Sequence, residues 1–268
     1  MSFFYNLLSA NTEITPINVQ PAYLERWLEA GKETSFADGA LMSQITDWSG
    51  KGKNITASGG NRATYKTNIV NGKAVVRCVG ASVYDSIGGK ADDNFKHQGD
   101  FTSIKVIRSN VDNAIHYFFD NNTDTTTNIG FSSMFRPAFS GTIAGYRSKV
   151  HNGTATAYLD LHLPNTAEGN PAPNIDGNPP VPKNVWLVIV ERVGGSLQYQ
   201  SLEIEVNNIL RGWANKSGSR SGATSTNNPK WFALADGTSK GNFDLAFLAE
   251  WSTYLTDSEL RSLIGRTL

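Results

Sequence analysis

The chain is 268 residues long, and its 24 lysines and arginines balance its 24 aspartates and glutamates, so the formal net charge is zero. Nucleic acid and anionic lipid call for clustered basic charge, and a balanced chain offers no such footprint. Twenty-five glycines, 10% aromatic and only 18% charged residues suit an all-β sandwich, a class whose single domains reach about 200–250 residues.

Residues 1–20 form an arm with an apolar tip of Phe3, Phe4, Tyr5, Leu7 and Leu8. It reads either as a terminal strand tucked into a sheet or as a docking element for a neighbouring subunit. It holds no basic stretch and no long apolar core, so no secretion signal is expected. No window approaches about 18 consecutive apolar residues, so no membrane span is expected. Pro21 and Gly31 bracket Leu24, Trp27 and Leu28 on one stripe, which predicts a helix over 21–30.

Strands are predicted over 74–79, 102–107, 114–119, 141–146, 155–161, 185–191, 197–206 and 243–247, with Asn71-Gly72 as a turn before the first. Tyr158, Asp160 and His162 alternate with leucines, the pattern of a strand with one wet face, whereas 185–190 is continuously apolar and reads as buried on both sides. The only cysteine, Cys78, lies in the first run, where it reads as an inert core residue. Two long loops are expected. Residues 164–184 hold six of the ten prolines, which bars a central strand, and 214–229 are rich in Ser, Gly, Thr and Asn. Thr256-Asp257-Ser258-Glu259 is a capping box before Leu260, Leu263 and Ile264, which predicts a closing helix over 257–266.

Three segments near the start carry a resemblance: Asp47-Trp48-Ser49-Gly50-Lys51-Gly52, then Arg62-Ala63-Thr64-Tyr65, then Val70-Asn71-Gly72-Lys73-Ala74-Val75-Val76-Arg77-Cys78-Val79-Gly80. Near the end, Phe243–Trp251 followed by Tyr254-Leu255-Thr256-Asp257-Ser258-Glu259 completes it. Together these resemble the concanavalin A-like, laminin G-type jelly rolls of bacterial and phage surface proteins. Ala63 stands where the pattern has proline and Cys78 where it has phenylalanine. Arg26-Trp27-Leu28-Glu29-Ala30 is similar to a strand of the same family, against the helix reading of 21–30. The resemblance implies an all-β, two-sheet antiparallel jelly-roll sandwich over 21–268 with one short C-terminal helix. It leaves function open, because sites and not folds decide function.

Chemistry is sparse in the sequence. Glu203 and Glu205 alternate on one strand, as the acid and nucleophile of jelly-roll glucanases do, but the third carboxylate of that pattern is absent. His97, His116, His151 and His162 are scattered and match no zinc spacing. Calcium is a candidate ligand, with oxygens at Asp85, Asp92, Asp93 and Asn94 and at Asp120, Asn121, Asn122 and Asp124; Asp120, Asn122 and Asp124 are the chosen metal set. For a glycan, Tyr84, His97, Trp213 and Trp231 offer stacking faces, and Asp92 and Asp93 offer fixed polar groups. Trp27, Trp48 and Trp186 read as core.

The sequence points to a non-enzymatic structural or adhesion protein, such as a phage capsid decoration or fibre component. Its expected partners are a capsid or fibre subunit and a cell-surface glycan. The zero net charge also favours association between copies. The expected location is the virion, with a cytoplasmic protein or one exported by a non-classical route as alternatives. A soluble lectin and a glycoside hydrolase are the competing functions.

Overall fold

A computed structural model of the chain describes residues 15–57, 60, 62–110, 115–121, 129–136, 145–152, 158–163, 184–194, 199–206, 209–217, 227–233 and 236–264. In chain order the strands are β1 (Leu24–Glu29), β2 (Gln44–Ile45), β3 (Ile55–Ala57), β4 (Thr64–Val70), β5 (Lys73–Val79), β6 (Tyr84–Ser86), β7 (Phe101–Ser109) and β8 (His116–Asp120). They continue with β9 (Ile129–Arg136), β10 (Gly145–Asn152), β11 (Tyr158–Leu163), β12 (Trp186–Gly194), β13 (Tyr199–Val206), β14 (Ile209–Ser217), β15 (Lys230–Trp231) and β16 (Asn242–Trp251). Among the described residues two α-helices accompany them, α1 (Phe95–Gln98) and α2 (Asp257–Ile264).

The strands form two antiparallel sheets of eight. The first runs β14-β13-β12-β7-β16-β5-β4, with β1 also paired to β16; the second runs β11-β10-β9-β8-β15-β6-β3-β2. Alternation along each strand builds the layers. From the first sheet, Val76 and Cys78, Phe101 and Ile107, Leu187 and Ile189, and Phe243 and Leu245 face inward. They meet Phe118, Phe131, Phe135, Val150 and Trp231 of the second. Aromatic rings fill this interior edge to face, as in the Phe118–Trp231 pair, whose centroids lie 5.7 Å apart. Each such fully buried side chain contributes about 1.5–3 kcal/mol.

The first sheet is apolar on its other face as well. Val75, Ile104, Val106, Val188, Val190 and Phe247 form a second cluster with Leu260, Leu263 and Ile264 of α2 and with Val19. Two-sided burial explains the continuous apolar run in β12. The capping box forms as the sequence predicts: Thr256 N–H donates to Glu259 Oε2 at 2.7 Å, and Glu259 N–H to Thr256 Oγ1 at 3.4 Å. The Asn71-Gly72 turn also forms, with φ of 47° and 76° as the tight β4–β5 connection requires.

The structure corrects several expectations. Residues 24–29 are a strand, and Pro21 opens only a three-residue 3-10 turn, Pro21–Tyr23. Leu28 packs in the inner cluster and Trp27 in the outer one, so the apolar stripe reflects a strand buried on both faces. Tertiary pairing with β16 overrides the helix signal. The strand expected at 141–146 overlaps β10, and its residues 141–144 lie outside the described residues; β14 extends through Ser217, into the stretch read as loop. Residues 95–98 add a short helix that the sequence reading lacks. Residues 15–20 pack on the sandwich: Val19 is buried, and its carbonyl accepts Trp251 Nε1–H at 2.8 Å. Phe3, Phe4, Tyr5, Leu7 and Leu8, and the proline-rich residues 164–183, lie outside the described residues. Among the described residues no helix is long and apolar enough to cross a membrane.

Candidate functional site

The segment between β6 and β7 carries three of the six predicted binding residues, Asp92, Asp93 and His97. After Ser86 the chain turns at Gly88-Gly89, makes a 3-10 turn over Gly89–Asp92 and enters α1. Asp92 Oδ2 accepts the Gly88 N–H at 2.8 Å, and a Cβ at position 88 would lie 2.2 Å from Asp92 Oδ1, so a larger residue there would displace the Asp92 carboxylate.

Beneath this segment lies a buried group of four charges. Arg26 on β1 and Glu250 on β16 are cross-strand partners, and both point inward. Arg26 Nη1 reaches Asp93 Oδ1 at 2.6 Å and Glu250 Oε2 at 3.1 Å. Lys96 on α1 contacts Glu250 Oε1 and lies 3.5 Å from Asp93 Oδ1. None of the four side chains is more than 2% exposed. Two cations match two carboxylates, so the group is neutral as a whole, which the high cost of burying a lone charge demands.

The remaining hydrogen-bonding capacity is largely met. Arg26 Nε donates to the Lys53 carbonyl at 2.9 Å, Ser86 Oγ donates to Asp93, and Trp231 Nε1 donates to Ser86 Oγ at 2.9 Å. The Arg26 guanidinium also lies 4.7 Å from the Trp231 ring centroid. Burial would lift the Asp93 carboxyl, but Arg26 and Lys96 outweigh it and hold Asp93 below its ordinary range. Burial works against the Arg26 charge too; Asp93 and Glu250 more than offset it and raise the guanidinium above its usual value. For Lys96 burial wins and the ammonium is pulled down.

A second buried pair adjoins the first. Lys105 Nζ contacts Glu191 and donates to Tyr146 Oη at 2.8 Å and to Ser133 Oγ at 3.4 Å. The strand registers set Glu191 beside Ser103, Ser103 beside Glu250, and Glu250 beside Arg26. A polar row therefore crosses the inner face of four neighbouring strands. None of these residues stood out as a site in the sequence. Arg26, Lys105, Glu191 and Glu250 each lie within a strand that holds other charges as well, Glu25 beside Arg26, Arg108 after Lys105, Arg192 beside Glu191 and Asp244 before Glu250, so no pattern in the sequence singled them out.

What the segment shows to solvent is its rim. Ile87, 55% exposed, stands with Gly88, Lys90, Ala91 and Asn228 at the surface. Lys230 Nζ and Asp85 Oδ1 pair at 2.5 Å beside them. Of the predicted binding residues, Asp92 belongs to this rim. Tyr84, Asp93, His97 and Trp231 do not: all four are fully buried. Tyr84 Oη donates to the Met42 carbonyl at 2.5 Å and accepts Ala63 N–H at 2.9 Å, so this phenol ties strands together and offers no stacking face. Trp231 is covered by Arg26 and Phe119. Trp213 takes a register position on β14 opposite Glu203 of β13, remote in the sheet order from the rim.

The calcium candidates are only partly within the described residues. Asp120 is 1% exposed and lies opposite Lys230 in the β8–β15 ladder, while Asn122 and Asp124 fall outside the described residues. Asp85, Asp92 and Asp93 turn to three different partners: Lys230, Gly88 N–H and Arg26. Among the described residues no three acids, histidines or cysteines converge on a metal position. His116 is buried, its Nδ1 at 3.2 Å from the Lys240 carbonyl.

No protein-family model and no curated protein sequence matches the chain. Solved structures do. The binding domain of botulinum neurotoxin DC in complex with SialylT matches with a TM-score of 0.56 at 11% identity, over 91% of this chain and 52% of that one. The same domain in complex with rat synaptotagmin II matches with a TM-score of 0.51 at 9% identity, again over 91% and 52%. The Ruminococcus gnavus IT-sialidase CBM40 bound to α2,3-sialyllactose matches with a TM-score of 0.50 at 15% identity, over 71% of this chain and 96% of that one. The chain shares the fold of these binding domains. It spans about half the length of the toxin domains, and at such identities the likeness speaks for the β-sandwich alone.

Proposed function

We propose that this chain is a non-enzymatic recognition module, a lectin-like jelly roll of the concanavalin A-like, laminin G-type kind, which holds a glycan or protein receptor on the rim above the buried charges. One observation carries this reading. The loop that bears Ile87, Lys90 and Asp92 is fastened from below by ion pairs that water cannot reach. A loop held in one shape loses little freedom on binding, and loops fixed on a rigid scaffold are where recognition residues concentrate. The partners named for the solved neighbours, a sialylated ligand and synaptotagmin II, lend support. A glycan array run with and without calcium, on the parent chain and on Lys90→Glu and Asn228→Ala, tests it. The parent should retain a glycan and the two variants should bind at least tenfold more weakly. Equal binding by all three would defeat the assignment of the rim.

The surface served, in this proposal, is a virion, with the chain as a capsid decoration or fibre component. The zero net charge supports assembly. Deletion of residues 1–14 spares Pro16 and Val19, which pack on the sandwich, and should abolish copurification with particles. Undiminished copurification would refute docking through Phe3, Phe4, Tyr5, Leu7 and Leu8.

Glycoside hydrolysis by Glu203 and Glu205 has one observation in its favour, their alternate positions on β13. Those positions lie opposite Val190 and Val188, however, which belong to the apolar cluster beneath α2. A Glu205→Gln variant with undiminished polysaccharide turnover would dismiss this pair as the catalytic carboxylates.

A further inference from the structure

An anchor needs only balanced charge, and Lys96 is placed for more than that. Its Nζ lies against Glu250 Oε1. Four rings close around it, with centroids at 4.6 Å (Phe119), 4.9 Å (Phe95 and Trp231) and 5.3 Å (Phe101). The site is fully buried. We propose that Lys96 Nζ and the Glu250 carboxyl carbon condense into an amide, a covalent clamp between α1 and β16.

Each part of the reaction has a residue in place. Proton transfer from the Lys96 ammonium to Glu250 Oε1 frees the amine lone pair, and burial already pulls the Lys96 ammonium down. The nitrogen lone pair forms the C–N bond at Cδ, and the displaced π pair settles on Oε2. That oxygen accepts Arg26 Nη1 at 3.1 Å, a fixed cation aimed where negative charge develops. Asp93, 3.5 Å from Nζ, takes a proton from the nitrogen and delivers it to Oε1, which leaves as water while the carbonyl reforms at Oε2. Atoms and charge balance with no oxidant or reductant: ammonium plus carboxylate become amide plus water.

The charge balance of the core survives the step. Lys96 and Glu250 leave the count together, and Arg26 and Asp93 remain as one matched pair at 2.6 Å. Holding amine and carboxyl in contact replaces an encounter in solution, where effective concentrations gained reach about 10⁵ M or more.

Intact-mass spectrometry of the folded, purified chain tests this inference. A mass one water below that of the sequence is expected, with a branched tryptic peptide that joins the Lys96 segment to the Glu250 segment. Lys96→Arg should restore the full mass. Glu250→Gln should form the same bond with loss of ammonia instead of water, an outcome that a purely structural role for position 250 would not produce. A folded parent chain at full sequence mass, or a water loss that maps to other peptides, would overturn the proposal.

Discussion

Asp47 offers the sharpest test of how the sandwich is held at its edge. Its carboxylate accepts Trp27 N–H and Ser49 N–H, both at 2.9 Å, through Oδ1, and Ser49 Oγ–H and Lys53 N–H, both at 2.8 Å, through Oδ2. Gly50 and Gly52, with φ of 86° and 71°, let the loop curl tightly enough to bring all four donors to one side chain. In Asp47→Ala the buried Trp27 N–H loses its partner, at about 1–3 kcal/mol, and the half-buried Ser49 and Lys53 N–H groups lose theirs, at about 0.5–1.5 kcal/mol each, for a total near 4 kcal/mol. Against a typical stability of about 5–15 kcal/mol this is a large share. Asp47→Asn keeps one carbonyl oxygen for Trp27 and Ser49 and should cost about 1–2 kcal/mol. Urea denaturation followed by tryptophan fluorescence reads both, as lower midpoints at unchanged slope. An alanine variant within about 1 kcal/mol of the parent, or an asparagine variant as damaging as alanine, would refute the account.

Three other outcomes follow from the geometry. Tyr84→Phe should lower stability by about 1–3 kcal/mol in the same urea assay, since it orphans the buried Ala63 N–H, and should leave ligand binding unchanged. Cys78 is buried, and burial pushes its thiol far above the ordinary value, so iodoacetamide should leave it unmodified in the folded chain and alkylate it readily in urea. Burial would raise the Asp93 and Asp244 carboxyls, but Arg26 and Lys96 beside Asp93, and Arg77 and Arg108 beside Asp244, hold both below the ordinary range. Carboxyls depressed in the folded state contribute stability that is present above the unfolded pKa, about 3.9, and is lost as pH falls through the lower folded value. The urea midpoint should therefore drop steeply below about pH 4, and Asp244→Asn should flatten that drop.

The strands easiest to read were those buried on both faces. β12 announces itself by the continuous apolar run 185–190, and β5, β7 and β16 by short stretches rich in apolar and β-branched residues. β9 was missed because Ser133 faces inward to meet Lys105 and so breaks the expected alternation. The same effect hid the polar core: a charge within a strand reads as a wet position, and only three-dimensional pairing shows Arg26 against Glu250 or Lys105 against Glu191. Tyr84 and Trp231 were misplaced for the converse reason. Their neighbours Asp85 and Lys230 reach solvent, and in strands of three and two residues the alternate side chain turns inward without any pattern long enough to reveal it. The closing helix was legible, because its capping box is local chemistry that needs no distant partner.

The pairing of β1 with β16 has a consequence for biosynthesis. Trp251 and Val19, joined by a hydrogen bond, are 232 positions apart, and among the described residues β1 pairs with β16 alone. A ribosome must release all 232 further positions before that seam can close, so early segments wait with an apolar strand unsatisfied. Assembly dominated by such distant contacts is slow and exposed to aggregation. Its yield in a cell should depend more on chaperone supply and growth temperature than on the stability of the finished fold.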